Sequence, residues 1–111
     1  MKEIKLGNLE ELILLLIAGM GDEAYSVAIV EEYEKQTKRS INISAIHTTL
    51  YRLQEKGFLD SKLSDSNAKR GGKKKRIFFL TEQAVTSLNE LSELRNQLKK
   101  QITNLSIGYE S

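Results

Sequence analysis

Cysteine is missing from the 111-residue chain, which excludes a disulfide framework and a thiolate metal site. Its single histidine, His47, cannot build a histidine-based metal centre, although carboxylates could still hold a hard cation. No metal or cofactor is therefore expected. The longest apolar run, Leu12 to Ala18, falls short of the ~20 residues that cross a bilayer. No basic segment followed by an apolar stretch and a small-residue cleavage site opens the chain, so no secretory signal and no membrane partner are expected. A chain without disulfides suits a reducing cytosol, and cytoplasmic residence is the expectation. Catalytic signatures are lacking as well. Gly19-Met20-Gly21 follows a helix pattern and not a strand, so it is no dinucleotide-binding turn. The neighbours of His47, Ile46 and Thr48, supply neither a nucleophile nor a paired acid. Glu10-Glu11 and Glu31-Glu32 read as helix surface. No catalytic residue is assigned, and the chain is not expected to be an enzyme.

Charge is present, and its placement is informative. The chain carries 17 basic and 15 acidic residues, a formal net charge of +2. Six of the cations, Lys69, Arg70, Lys73, Lys74, Lys75 and Arg76, crowd into eight consecutive positions without an acid among them. The rest of the chain is therefore acidic on balance. One concentrated cationic element on an acidic body suits a focused contact with a polyanion.

The hydrophobic pattern predicts a helix over 8–19, with Asn8 as cap and Glu11 three residues on as its partner. Leu12, Ile13, Leu15, Leu16 and Ile17 leave this helix apolar on nearly all sides, so burial on more than one face is expected. Gly19 and Gly21 should end it. A second helix is predicted over 26–37, with Val27, Ile29, Val30 and Tyr33 facing inward. A third is predicted over 44–56, capped by Ser44 and stopped by Gly57, with Ile46, Leu50 and Leu53 as its buried stripe. Two strand-like runs, 58–63 and 75–80, flank a long loop rich in turn formers and cations. Thr81 caps a last helix reaching to about Leu105. The order helix, turn, helix, hairpin predicts a mainly α (α+β) winged helix-turn-helix with a two-stranded β-hairpin wing. Residues 1–81 would form the DNA-binding domain and 82–111 a long C-terminal dimerisation helix, the two making one structural unit.

Three features carry the function. The exposed face of the third helix presents Ser44, Ala45, His47, Thr48, Tyr51 and Arg52, suited to base edges and phosphates when a helix N-terminus enters a major groove. The helix dipole favours an anion near Ser44 and Ala45. The hairpin tip, Lys69, Arg70, Gly71, Gly72, Lys73 and Lys74, combines cations with a glycine pair that lets the backbone approach a phosphate. In the last helix Leu91, Leu94, Leu98, Ile102 and Leu105 recur at spacings of three and four, a coiled-coil type of seam. A rod of about 36 Å cannot hide that seam on so small a domain, so it should pair with a second copy.

Four stretches give the chain a resemblance to the PadR-like transcriptional regulators, covering about residues 6 to 90. Leu6-Gly7-Asn8-Leu9-Glu10-Glu11 with the Leu12–Ala18 run resembles the opening of that family. Tyr25-Ser26-Val27-Ala28-Ile29 stands where the family shows Tyr-Gly-aromatic-x-Ile. The run from Ala45 to Gly57 resembles its recognition-helix signature. Arg70-Gly71-Gly72-Lys73-Lys74-Lys75-Arg76, with Ile77 to Thr81, is similar to its wing and second strand. His47 replaces the family's usual Tyr, Ser26 and Val27 replace Gly and an aromatic, and Ala84 stands where Gly is common. The resemblance implies a homodimeric repressor of the family's compact branch, binding double-stranded DNA at an inverted repeat. Some compact members bind flat aromatic drugs through Trp, which this chain lacks. A small-molecule-gated repressor remains one alternative, with its effector unknown. A winged-helix protein-interaction module, its basic wing meeting an acidic protein, is the other.

Overall fold

The structure, a computed structural model, describes residues 6–64 and 74–103. Six elements follow one another: α1 (Asn8–Met20), α2 (Ser26–Thr37), α3 (Ile43–Glu55), β1 (Leu59–Leu63), β2 (Arg76–Leu80) and α4 (Glu82–Thr103), with a short 3-10 turn, Gly21–Glu23, between α1 and α2. The two strands pair antiparallel, Leu59 opposite Leu80 and Leu63 opposite Arg76. Three helices followed by a hairpin make the winged helix-turn-helix that the sequence order predicts.

Helix ends explain most differences from the sequence reading. The cap of α1 is Gly7, one residue earlier than expected, and Asn8 is already helical. The Gly7 N–H donates to Glu10 Oε1 at 2.8 Å, so the return half of a capping box falls on Glu10 instead of Glu11. Gly19 stays inside the helix, and Gly21, at φ 59°, makes the break. In α3 the cap is Asn42 and not Ser44; its side chain accepts the Ala45 N–H at 2.8 Å. An amide oxygen placed before the first turn serves a free N–H there directly, which leaves Ser44 exposed within the helix. Gly57 follows α3 at φ 83°, where a Cβ would stand 3.1 Å from Gln83 Oε1. The backbone twist is what calls for glycine, since the exposed end of Gln83 can shift aside.

The core lies where α1, α2 and α3 meet the base of the hairpin. Ile13, Leu14 and Ile17 from α1, Ile29 and Tyr33 from α2, and Ile46, Leu50 and Leu53 from α3 are buried, joined by Phe58, Leu59, Phe78, Ala84 and Leu88. The expected stripe of α3 is thus wholly inward. Two expectations fail. Val27 is 53 % exposed, because α2 has only just begun there and turns that position toward β2. Leu15 is 52 % exposed, so α1 is not covered on every side within one chain.

The wing is tied to the helices through its backbone. The Phe78 N–H donates to Ala24 O at 2.9 Å, just before α2, and the Thr81 N–H donates to Phe58 O at 3.2 Å. At the far end the Ser64 N–H donates to Lys75 O at 2.7 Å, while the Lys75 N–H donates to Ser64 Oγ at 3.0 Å. Thr81 caps α4 as expected, its hydroxyl oxygen accepting the Ala84 N–H at 3.2 Å while its O–H donates to Gly57 O at 2.6 Å. Ala84, Ser87 and Leu88 are buried; from Ser92 onward the described side chains of α4 are exposed. No helix among the described residues is long and apolar enough to cross a membrane.

Candidate nucleic-acid interface

The outward surface of α3 divides into two flanks around an edge, as residues three and four apart share a face. His47, Tyr51 and Gln54 form the flank toward the hairpin. There they border a half-open groove of about 550 Å³, closed on its other sides by Tyr25, Ser26 and Val27 from the start of α2 and by Lys75, Arg76 and Phe78. Tyr51 is 67 % exposed, and Ser44 and Thr48 on the edge are exposed too. Arg52 lies on the opposite flank, beside Thr49, Lys56 and the start of α1. The predicted face therefore exists, but it does not converge on one point. Ala45 is half-buried, and its N–H is already taken by Asn42, so that amide is not open to an anion.

Three polar contacts hold the groove's walls together. Lys75 Nζ lies 4.2 Å from the centre of the Tyr25 ring, a cation–π distance. Ser61 Oγ on β1 accepts from Arg76 Nη1 at 2.9 Å and from Gln54 Nε2 at 3.2 Å. One hydroxyl thus joins α3 to both strands. The groove places two cations and two tyrosines beside an exposed polar helix, which serves phosphate oxygens and base edges far better than it serves bond-breaking chemistry. Among the described residues no group of three or more His, Asp or Glu is placed to hold a metal ion.

The opposite flank carries an ion pair that the sequence reading took for plain surface. Glu10 is 7 % exposed, and both its carboxylate oxygens accept from Lys56 Nζ, at 2.8 and 2.9 Å. Burial pushes the Glu10 carboxyl up. The Lys56 and Gly7 hydrogen bonds, with the charges of Lys56 and Arg52, outweigh it and hold the group below its ordinary value of 4.5. Its neighbour Glu11 accepts from Arg95 Nη2 of α4 at 2.8 Å.

Of the predicted hairpin-tip residues, Lys74 is exposed at the foot of β2; Lys69, Arg70, Gly71, Gly72 and Lys73 lie outside the described residues. On α4, Leu91 is half-buried, while Leu94, Leu98 and Ile102 are exposed by 50, 49 and 54 %; Leu105 lies outside the described residues. Sequence reasoning missed Tyr25, Val27, Gln54, Lys75 and Arg76 as lining. Gln54 could have been found, since it stands seven residues after His47 and three after Tyr51 on one helical face. Lys75 and Arg76 had been counted in the basic cluster yet assigned only to a strand. Nothing in the local pattern placed the start of α2 across from them.

No protein-family model matches the sequence, and no curated protein matches it. Solved structures do resemble the chain. A PadR-like transcription factor from Bacteroides fragilis is similar at a TM-score of 0.71 and 22 % identity, over 86 % of this chain and 87 % of that one. A PadR-like transcriptional regulator from Bacillus cereus gives a TM-score of 0.71 and 22 % identity, over 91 % and 93 % of the two chains. PadR of Bacillus subtilis in complex with operator DNA gives 0.59 and 21 %, over 76 % of this chain and 46 % of that one. The chain has the winged-helix fold of these structures.

Proposed function

We propose that this chain is a PadR-like transcriptional regulator that binds double-stranded DNA in a sequence-specific manner, as a homodimeric repressor acting in the cytoplasm. The observation that carries the reading is the groove itself: the exposed His47, Thr48 and Tyr51 edge of α3 stands beside cations delivered by the hairpin, Lys75 and Arg76. In this reading α3 enters the major groove. His47, Thr48 and Tyr51 meet base edges, while Ser44 and Arg52 help position the helix on the backbone. Lys69, Arg70, Gly71, Gly72, Lys73 and Lys74 carry the hairpin tip along phosphates. The operator-bound neighbour of the same fold supports this use of the architecture.

What one chain leaves uncovered supports the dimer in this reading. Leu94, Leu98 and Ile102 line one side of α4, and Leu15 of α1 adds a further exposed apolar side chain. Leu91 continues the same seam, and in the sequence Leu105 keeps its spacing. Residues 1–81 then form the DNA-binding part and 82–111 the pairing helix. A two-fold axis between the α4 helices would set the half-sites about 34–36 Å apart.

Selecting bound duplexes from a random pool, with light scattering for the mass in solution, tests the reading. An inverted repeat recovered by a dimer is the expected result. Retention on heparin without any recovered motif would instead favour a module that meets acidic proteins, and a monomer indifferent to duplex at low salt would overturn the proposal.

A further inference from the structure

Two adjacent carboxylates at the start of α1 lead to different elements. Glu10 holds Lys56, the residue that ends α3, and its Oε1 also accepts the Gly7 N–H. Glu11 holds Arg95, which follows Leu94 directly on the exposed apolar side of α4. The Glu10 and Glu11 side chains are 8 and 15 % exposed, while Arg95 is 54 % exposed; the buried Glu10 cannot lose its cation without a desolvation penalty. One turn of helix is thereby bolted to the end of the helix that faces the groove and to the middle of the long helix.

The lever arm gives these two contacts their importance. Beyond Leu88, the last buried position on α4, Leu91 is half-buried and the side chains from Ser92 to Ile102 are exposed. From Leu88 to Ile102 that is ~20 Å, and a tilt of about 10° would move its end by about 3.4 Å, roughly one base-pair step of DNA. Packing of Ala84 and Leu88 alone acts near the pivot; the Glu11–Arg95 contact acts a turn or two further out, where a restraint on angle is most effective.

We infer that Glu10 and Glu11 act together as positioning residues that fix the angle between α3 and α4, and so decide which half-site spacing the dimer accepts. This rests on the dimeric DNA-binding reading above. In this role the two carboxylates act through Lys56 and Arg95 and not on a base or phosphate.

The test uses the full chain and duplexes carrying two copies of the selected half-site, at the selected spacing and with one or two base pairs inserted or removed, together with a duplex holding one half-site. Wild-type protein prefers one spacing. In the Glu10→Gln, Glu11→Gln double variant that preference ratio falls by about three- to tenfold, while binding to the single half-site changes little. Arg95→Glu alone lowers the ratio, and adding Glu11→Arg restores part of it. An unchanged ratio in the double variant overturns the inference alone, as does an equal loss on the single half-site, which marks mere damage to the fold. If the double variant does not fold by circular dichroism, Arg95→Gln, at a side chain 54 % exposed, is read against the same ratio with the same two outcomes. A wild-type protein indifferent to spacing overturns the dimeric reading and the inference with it.

Discussion

Lys75 Nζ stands over the face of the Tyr25 ring, 4.2 Å from its centre. The contact spans the groove from the first residue of β2's approach to the cap of α2, so a cation of the hairpin is held beside the helix pair instead of sweeping through solvent. Held in that position, Lys75 has less side-chain freedom left to lose when an anion enters the groove.

Replacing Lys74 and Lys75 together with alanine is therefore expected to weaken binding to every duplex alike. Each lost phosphate contact removes about 0.9 from the slope of log affinity against log salt, so the pair should flatten it by about two. Anisotropy titrations across a salt series read this slope directly. An unaltered slope would remove the hairpin foot from the interface.

Thr48 and Tyr51 point outward from the α3 edge and contribute nothing to the core. Thr48→Ala or Tyr51→Ala should leave the melting temperature nearly unchanged. Either should cost about 1–3 kcal/mol on the preferred sequence, with little change on random duplex, if the side chain meets a base edge. A uniform loss on both would place that residue on the backbone instead.

Glu10 gives the molecule a pH-dependent element of stability. Its carboxyl is held below its ordinary value of 4.5 in the folded chain, so the unfolded chain takes up the proton first as the medium is acidified. The contribution is fully present above about pH 4.5 and is lost as pH falls through the lower folded value. At pH 7 Glu10→Gln should destabilise by about 1–3 kcal/mol, because Lys56 loses a charged, buried partner. Denaturant curves for the two proteins should converge once the pH lies below the folded value of Glu10. A gap that persists there would mean that Glu10 acts by packing alone.

Leu98 is half exposed on α4 and lies far from the core. In a single chain Leu98→Glu should therefore be nearly neutral. Within a two-fold seam it would bury an unpaired charge, so the expected outcome is a folded monomer with weakened operator binding. Sedimentation at micromolar concentration distinguishes the two, and a variant that remains dimeric would move the contact away from this seam.

Much of the architecture could be read from spacing. Ile46, Leu50 and Leu53 recur as a helix demands, and the structure buries all three. Thr81 before α4 and Gly57 after α3 were visible as stop and start signals because each does a local job: a hydroxyl serving the Ala84 N–H, and a backbone angle that other residues resist. Caps shifted by one residue at Gly7 and by two at Asn42 escaped because a nearby polar residue was an equally good candidate in each case. The roles of Glu10, Lys75 and Val27 were not legible at all. Lys56 lies 46 residues from Glu10, and the groove is made of segments that only the folded chain brings together, so no local pattern encodes them.

The bond from the Phe78 N–H to Ala24 O makes the second strand a neighbour of the segment that leads into α2. Hairpin and helix pair are thereby joined like the two sides of a jaw. On the DNA-binding reading, a B-form duplex offers a major groove wide enough for such a jaw. An A-form helix, with its deep and narrow major groove, does not; the protein would tell the two polymers apart by shape before any base is read.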